Sequence, residues 1–312
     1  MDRARQVAIL KALNENRRRA KAVLVITQNR ALANVVDLSF SLSESLTKAV
    51  KGNRLPANGQ AALVTIDRIL DTAEAEAQHQ LLDASEAIFD DSLGLQVDQL
   101  GVMGTLPPRR LQALAQQFDA QFRPDLITQS YNDWIRRIPG QVMGADRALR
   151  DVMARAIVEG QDYKAAARDF LAQSTFDRTI PTGGQYLRND VRIENLPLIQ
   201  QKIAPMARAI RVMRTEFTRL DNIAGITFAQ DAGLSSFINI GVGDERQSEI
   251  CADASTQDPK TLEEWRASRW GLAPRHPYCR CYMQAVPDAV SRNLDSPVLG
   301  QVGAVAEEFA AT

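Results

Sequence analysis

The sequence predicts a mostly α-helical protein with a small α+β domain near its C-terminal end. Three observations carry that prediction. Apolar residues recur at three- and four-residue steps through two long stretches before residue 89. Segments 235–242 and 282–286 alternate in the manner of strands. Between those segments lie all three cysteines and one of the two histidines. A length of 312 residues allows one large domain or two ordinary ones, and 45% apolar with 24% charged residues is enough for a real core.

The first stretch runs from Leu10 through Leu24, Val35 and Leu42 to Ala49, as one long helix or two collinear ones. Gly52, Pro56 and Asn58-Gly59 end it. A second seam follows through Leu63, Ile66, Leu70, Leu81 and Ile88. Together they predict a long αα-hairpin or arm over residues 1–104. Its seams are longer than a lone hairpin can bury, which points to further helices or to other copies of the chain.

Residues 105–195 read as a helical middle region. Thr105-Leu106-Pro107-Pro108 is a helix entry, with proline tolerated in the first turn. Leu111, Leu114, Phe118 and Phe122 form a buried stripe, and Pro124 is expected to stop that helix. Asp125–Ile138 is a further helix closed by Pro139-Gly140. Ala145–Val158 and Tyr163–Gln173 follow, hinged at Gly160. Residues 175–195 have no period and read as a long loop.

Residues 196–290 form the predicted α+β module. Leu196–Asn222 carries an apolar stripe of Ile203, Met206, Ile210, Met213, Phe217 and Leu220. Arg214 falls within that stripe, so a buried structural ion pair is expected, with Asp221, Asp244 and Glu245 as nearby carboxylates and Glu216, at the edge of the stripe, able to cap or pair elsewhere. Strands at 235–242 and 282–286 predict a small antiparallel hairpin. Trp265 and Trp270 would lid it from a short helix opened by Pro259-Lys260-Thr261. A short helix at 301–310 is expected in a peripheral tail, 291–312.

Net charge is −1, so the chain as a whole is not drawn to nucleic acid, but charge is unevenly spread. Arg17, Arg18 and Arg19 belong to a basic N-terminal run, while 67–98 is strongly acidic. Two readings stay open: antiparallel helices with offsetting faces, or a basic end that meets a polyanion or an acidic protein wall. Arg208, Arg211 and Arg219, on the polar face of the 196–222 helix, join Arg17, Arg18 and Arg19 as candidate polyanion contacts. No apolar run approaches the ~18 residues of a membrane helix, so no membrane partner is expected and synthesis is expected to be cytoplasmic. An odd number of cysteines argues against a disulfide framework.

Cys251, His276, Cys279 and Cys281 supply four soft or borderline ligands, the count of a closed structural zinc site. One residue separates Cys279 from Cys281, and in an extended strand the two would face opposite ways, so a turn or bulge is needed. Structural metal and reduced buried cysteines beside a His-Pro turn both remain open. A nucleophilic cysteine with His276 as base is a third chemistry, but no complete catalytic motif accompanies it, and the chain is not expected to be an enzyme.

Arg214-Thr215-Glu216 with Asn222 and Ala224, then Asp244-Glu245-Arg246 to Cys251, then His276-Pro277-Tyr278-Cys279-Arg280-Cys281, occur here in order. With Glu159-Gly160 and Ala165-Ala166-Ala167-Arg168 before them, they resemble the phage head-morphogenesis family, the minor head proteins typified by protein F of phage Mu. The resemblance spans 145–286. Where many members have a second cysteine three positions after the first, this chain has Ala254. The resemblance implies a minor capsid protein of a tailed phage, made in the bacterial cytoplasm and retained in the virion. It would act in head assembly with the portal protein or major capsid protein and contact packaged double-stranded DNA. The alternatives are a head-carried Cys/His- or metal-dependent enzyme and a zinc-stapled DNA-binding protein.

Overall fold

The computed structural model describes residues 3–52, 54–104, 106–173, 200–241, 247–277 and 279–286. The loop expected at 175–195, the helix expected at 301–310, Asp244 and Glu245 lie outside them. The fold is mostly helical with one small antiparallel sheet near the C-terminal end, as the periodicities predict.

Helices α1 (Arg3–Lys51) and α2 (Gly59–Met103) are each continuous. The first stretch is therefore one helix. The second runs well past Ile88, because Phe89, Leu93, Leu100 and Met103 continue its buried face. Helix α3 (Pro108–Ser130) keeps Pro124 inside it, against the expected stop. Phe118 before the proline and Ile127 after it are both buried, so packing holds the helix through the missing N–H. A π-helical turn follows at Tyr131–Ile135, with the Arg136 N–H bonded to the Tyr131 carbonyl at 3.1 Å. Pro139 also departs from expectation. It stands in the first turn of α4 (Ile138–Val142), where its missing N–H costs nothing, so it opens a helix instead of closing one.

Helices α5 (Gly144–Val158) and α6 (Tyr163–Gln173) have the predicted bounds to within a residue. Gly160 between them has φ +70°, a conformation that suits glycine. Helix α7 (Gln200–Asp231) continues nine residues beyond the expected end at Asn222 and stops before Gly233 at φ +84°.

The chain forms two compact units, neither of them a continuous stretch. One unit takes 28–84 and 131–213. Its core interleaves Leu42, Leu46, Ile66 and Leu70 from the long helices with Leu149, Met153 and Leu171 from α5 and α6. Each fully buried aliphatic side chain of this kind contributes roughly 2 kcal/mol. The other unit takes the remaining segments. In it Phe118 stacks on Phe89 at 6.1 Å and meets Phe228 edge-on at 5.2 Å.

Within that second unit lies the sheet. Strand β1 (Ser236–Ile240) is central, flanked by β2 (Lys260–Thr261) and β3 (Tyr282–Val286), both antiparallel. Phe237, Ile238 and Asn239 are all buried, so both faces of β1 are covered. Helix α8 (Glu249–Ser255) and α9 (Leu262–Ala267) pack beside it. Thr261 and Glu264 form a capping box that starts α9. Trp265 is fully buried and donates its Nε1–H to the Phe237 carbonyl at 2.8 Å. Trp270 lies beyond α9 and meets Trp265 edge-on at 6.3 Å.

Candidate metal centre

The cysteines and His276 come from three segments brought together by the sheet. Helix α8 turns Cys251 and Ala254 inward. Ser248 sits at the N-cap of that helix but does not cap it. Its Oγ lies 2.9 Å from His276 Nε2 instead. The Cys279 N–H bonds to the His276 carbonyl at 3.0 Å, closing a turn that puts both residues on one side. This turn precedes Cys279, and no turn is assigned over 279–281, where the spacing of the two cysteines led one to be expected.

Cys251 Sγ lies 3.2 Å from His276 Nε2 and 3.7 Å from Cys279 Sγ. The three ligand atoms all lie within 4.8 Å of one another. Tetrahedral bonds of about 2.3 Å to sulfur and 2.0 Å to nitrogen set ligand separations of about 3.8 Å for S···S and 3.5 Å for S···N. The observed distances are within a few tenths of an ångström of both. His276 Nδ1 bonds to the Pro277 carbonyl at 2.8 Å, which assigns its proton to Nδ1 and leaves the Nε2 lone pair toward the sulfurs. A Cys/His/Cys group able to hold a metal ion is therefore present.

Cys281, the fourth expected ligand, falls outside this three-residue group, although its buried thiol adjoins those of Cys279 and Cys251. Donation from Cys281, joined by the backbone amides of Arg275 and Cys281, holds the Cys279 thiol far below its ordinary range, at about 4. Cys281 is pushed upward, first because its S–H donates a hydrogen bond to the Cys279 sulfur and then by burial, so it keeps its proton. These contacts favour the thiolate at Cys279, and thiolate is the metal-binding form of cysteine. Asn222 of α7 positions Cys281: its Nδ2 donates to the Cys281 carbonyl at 3.2 Å and its Oδ1 accepts the Met283 N–H at 2.8 Å.

The candidate residues described on α7 are not part of this group. Arg214 is half-buried rather than enclosed, and its carbonyl accepts from Thr218 Oγ1 at 3.0 Å. Glu216 bonds one turn along α7 to Arg219, with Oε1 at 2.6 Å. Arg219, an expected polyanion contact, is thus committed to a carboxylate, while Arg211 is exposed. The side chains of Arg17, Arg18, Arg19 and Arg208 lie outside the described ones. Sequence reasoning missed Ser248, Asn239 and Arg275, and Arg275 had one signal, its place just before His276-Pro277.

Among the described residues no helix is long and apolar enough to cross a membrane. Comparison with protein-family models, curated proteins and solved structures finds no match to the chain.

Proposed function

We propose that the chain is a minor head protein of a tailed phage, a structural component that acts in head assembly at or near the portal, with a structural zinc ion held by Cys251, His276, Cys279 and Cys281. One observation carries the reading. The Cys…His-Pro-x-Cys-Arg-Cys pattern that resembles the head-morphogenesis family has its first three ligand atoms within 4.8 Å of one another, on a sheet of only three strands. A sheet this small gains most from such a staple. Zinc would supply a cross-link between α8, the His-Pro turn and the entry to β3. Four protein ligands leave no open coordination position, which suits a structural ion rather than a catalytic one.

A nucleophile–base reading draws support from the 3.2 Å between Cys251 and His276. Burial weighs against it, because Cys251 is 2% exposed. The long seams of α1 and α2 support assembly with the portal protein, the major capsid protein or further copies, in contact with packaged DNA.

The test is the copy number and location of the chain in purified particles, together with co-purification with a portal ring. Low-copy incorporation near one vertex and about one zinc equivalent per chain are the expected results. Absence from particles, with no binding to portal or capsid protein, would overturn the assembly reading. Zinc below a tenth of an equivalent would overturn the metal reading.

A further inference from the structure

Arg275 stands immediately before His276, and its guanidinium engages all three nitrogens. Nε donates to the Trp270 carbonyl at 2.7 Å, Nη2 to the Gly271 carbonyl at 2.9 Å, and Nη1 to Asn239 Oδ1 at 2.6 Å. The first two bonds curl the 270–275 loop on itself, and the third ties it to β1. The guanidinium also lies over the Trp265 ring at 5.7 Å, and that ring is itself bonded to β1. From Asn239 the connection continues. Its Nδ2 donates to Ser255 Oγ at 3.0 Å, and Ser255 Oγ donates to the Cys251 carbonyl at 2.8 Å. The Arg275 backbone amide donates to the Cys279 sulfur. One residue is thus linked to the placement of His276, Cys251 and Cys279.

We propose that Arg275 is the positioning residue of the Cys/His centre, setting His276 and Cys279 against Cys251 through Asn239. This rests on the metal reading above. Lysine keeps the charge but cannot reproduce the planar fork, so Arg275→Lys tests the positioning itself.

The experiment uses the full chain with zinc and with cobalt(II) as a spectroscopic probe. Wild-type protein is expected to bind one ion and to give tetrahedral cobalt–thiolate bands. Arg275→Lys is expected to weaken binding about 10–100-fold against a chromogenic chelator and to shift those bands. Asn239→Ala, which removes the anchor and leaves the arginine, should produce the same kind of loss and serves if Arg275→Lys does not fold. Wild-type affinity and spectrum in both variants would overturn the proposal while leaving the metal reading standing. No metal in the wild-type protein would remove that reading, and the proposal with it. Unfolding of both variants in the metal-free state would assign the two residues to the sheet alone and also overturn the proposal.

Discussion

The helical core of residues 28–84 and 131–173 and the cysteine-bearing module of residues 214–286 reach order by different routes. In the first, buried side chains from Leu42 to Leu171 form a continuous apolar cluster. Its ion pairs, such as Arg150 with Asp67 at 2.9 Å, are half-exposed and contribute little. In the second, strands of five and two residues and helices of seven and six are too short to persist alone. Discrete bonds from Trp265, Asn222, Arg275 and Thr261 connect them. The module also buries Phe217, Phe237, Trp265 and Val286, but the bonds that join its short elements are individual points of failure that a continuous apolar core lacks. Here those points surround the cysteines, which is where a metal cross-link would matter most.

Chelation should break the symmetry between the two regions most strongly. Removal of zinc is expected to cost the cysteine-bearing module about 4 kcal/mol, the linkage for free ion about a thousandfold above its Kd. The helical core should melt unchanged. Calorimetry with and without chelator checks this, and transitions that do not move in chelator would leave buried thiols as the surviving account.

Two substitutions sharpen the contrast at the next level. Ile66→Ala removes a fully buried side chain from the apolar cluster and should cost about 3 kcal/mol, spread over the helices that share it. Asn222→Ala leaves the Cys281 carbonyl and Met283 N–H without their partners and should cost about 2 kcal/mol. Hydrogen exchange distinguishes them. The second should raise exchange at β3 while α5 and α6 stay protected, and uniform loss of protection in both variants would erase the distinction.

What the sequence made legible follows the same division. Helix α6 and strand β3 have their predicted bounds because a single local period determined each. Helix α7 reads short because its apolar stripe was followed only as far as Leu220. In the fold Asn222 serves β3, and a Cβ at Gly225 would come within 2.8 Å of Gln96, so both are accommodations to neighbours. Strand β2, two residues long, has no period to detect. The cysteine cluster was visible from composition alone. The residues that hold it were not, because Arg275 finds Asn239 across 36 positions and no local pattern announces such a pair.

The smallest expected effect tests a cost carried by the unit that holds the cysteines. Asp221 of α7 faces α2, where Ser92 Oγ donates to its carbonyl at 3.0 Å. Burial raises its carboxyl to about 6, and nearby Asp91 adds to the rise. An unfolded aspartate titrates near 3.9, so between about pH 4 and 6 the native state binds more protons than the unfolded one. Stability associated with this group is therefore fully present below about pH 4 and lost as pH rises through 6. Asp221→Asn removes the ionisation and keeps the shape. It should stabilise the protein by about 1–2 kcal/mol at pH 7.5 and by almost nothing at pH 3.5. Urea unfolding at the two pH values provides the measurement. An equal gain at both would mean that the residue acts through packing, and the electrostatic cost assigned to the α2–α7 contact would have to be withdrawn.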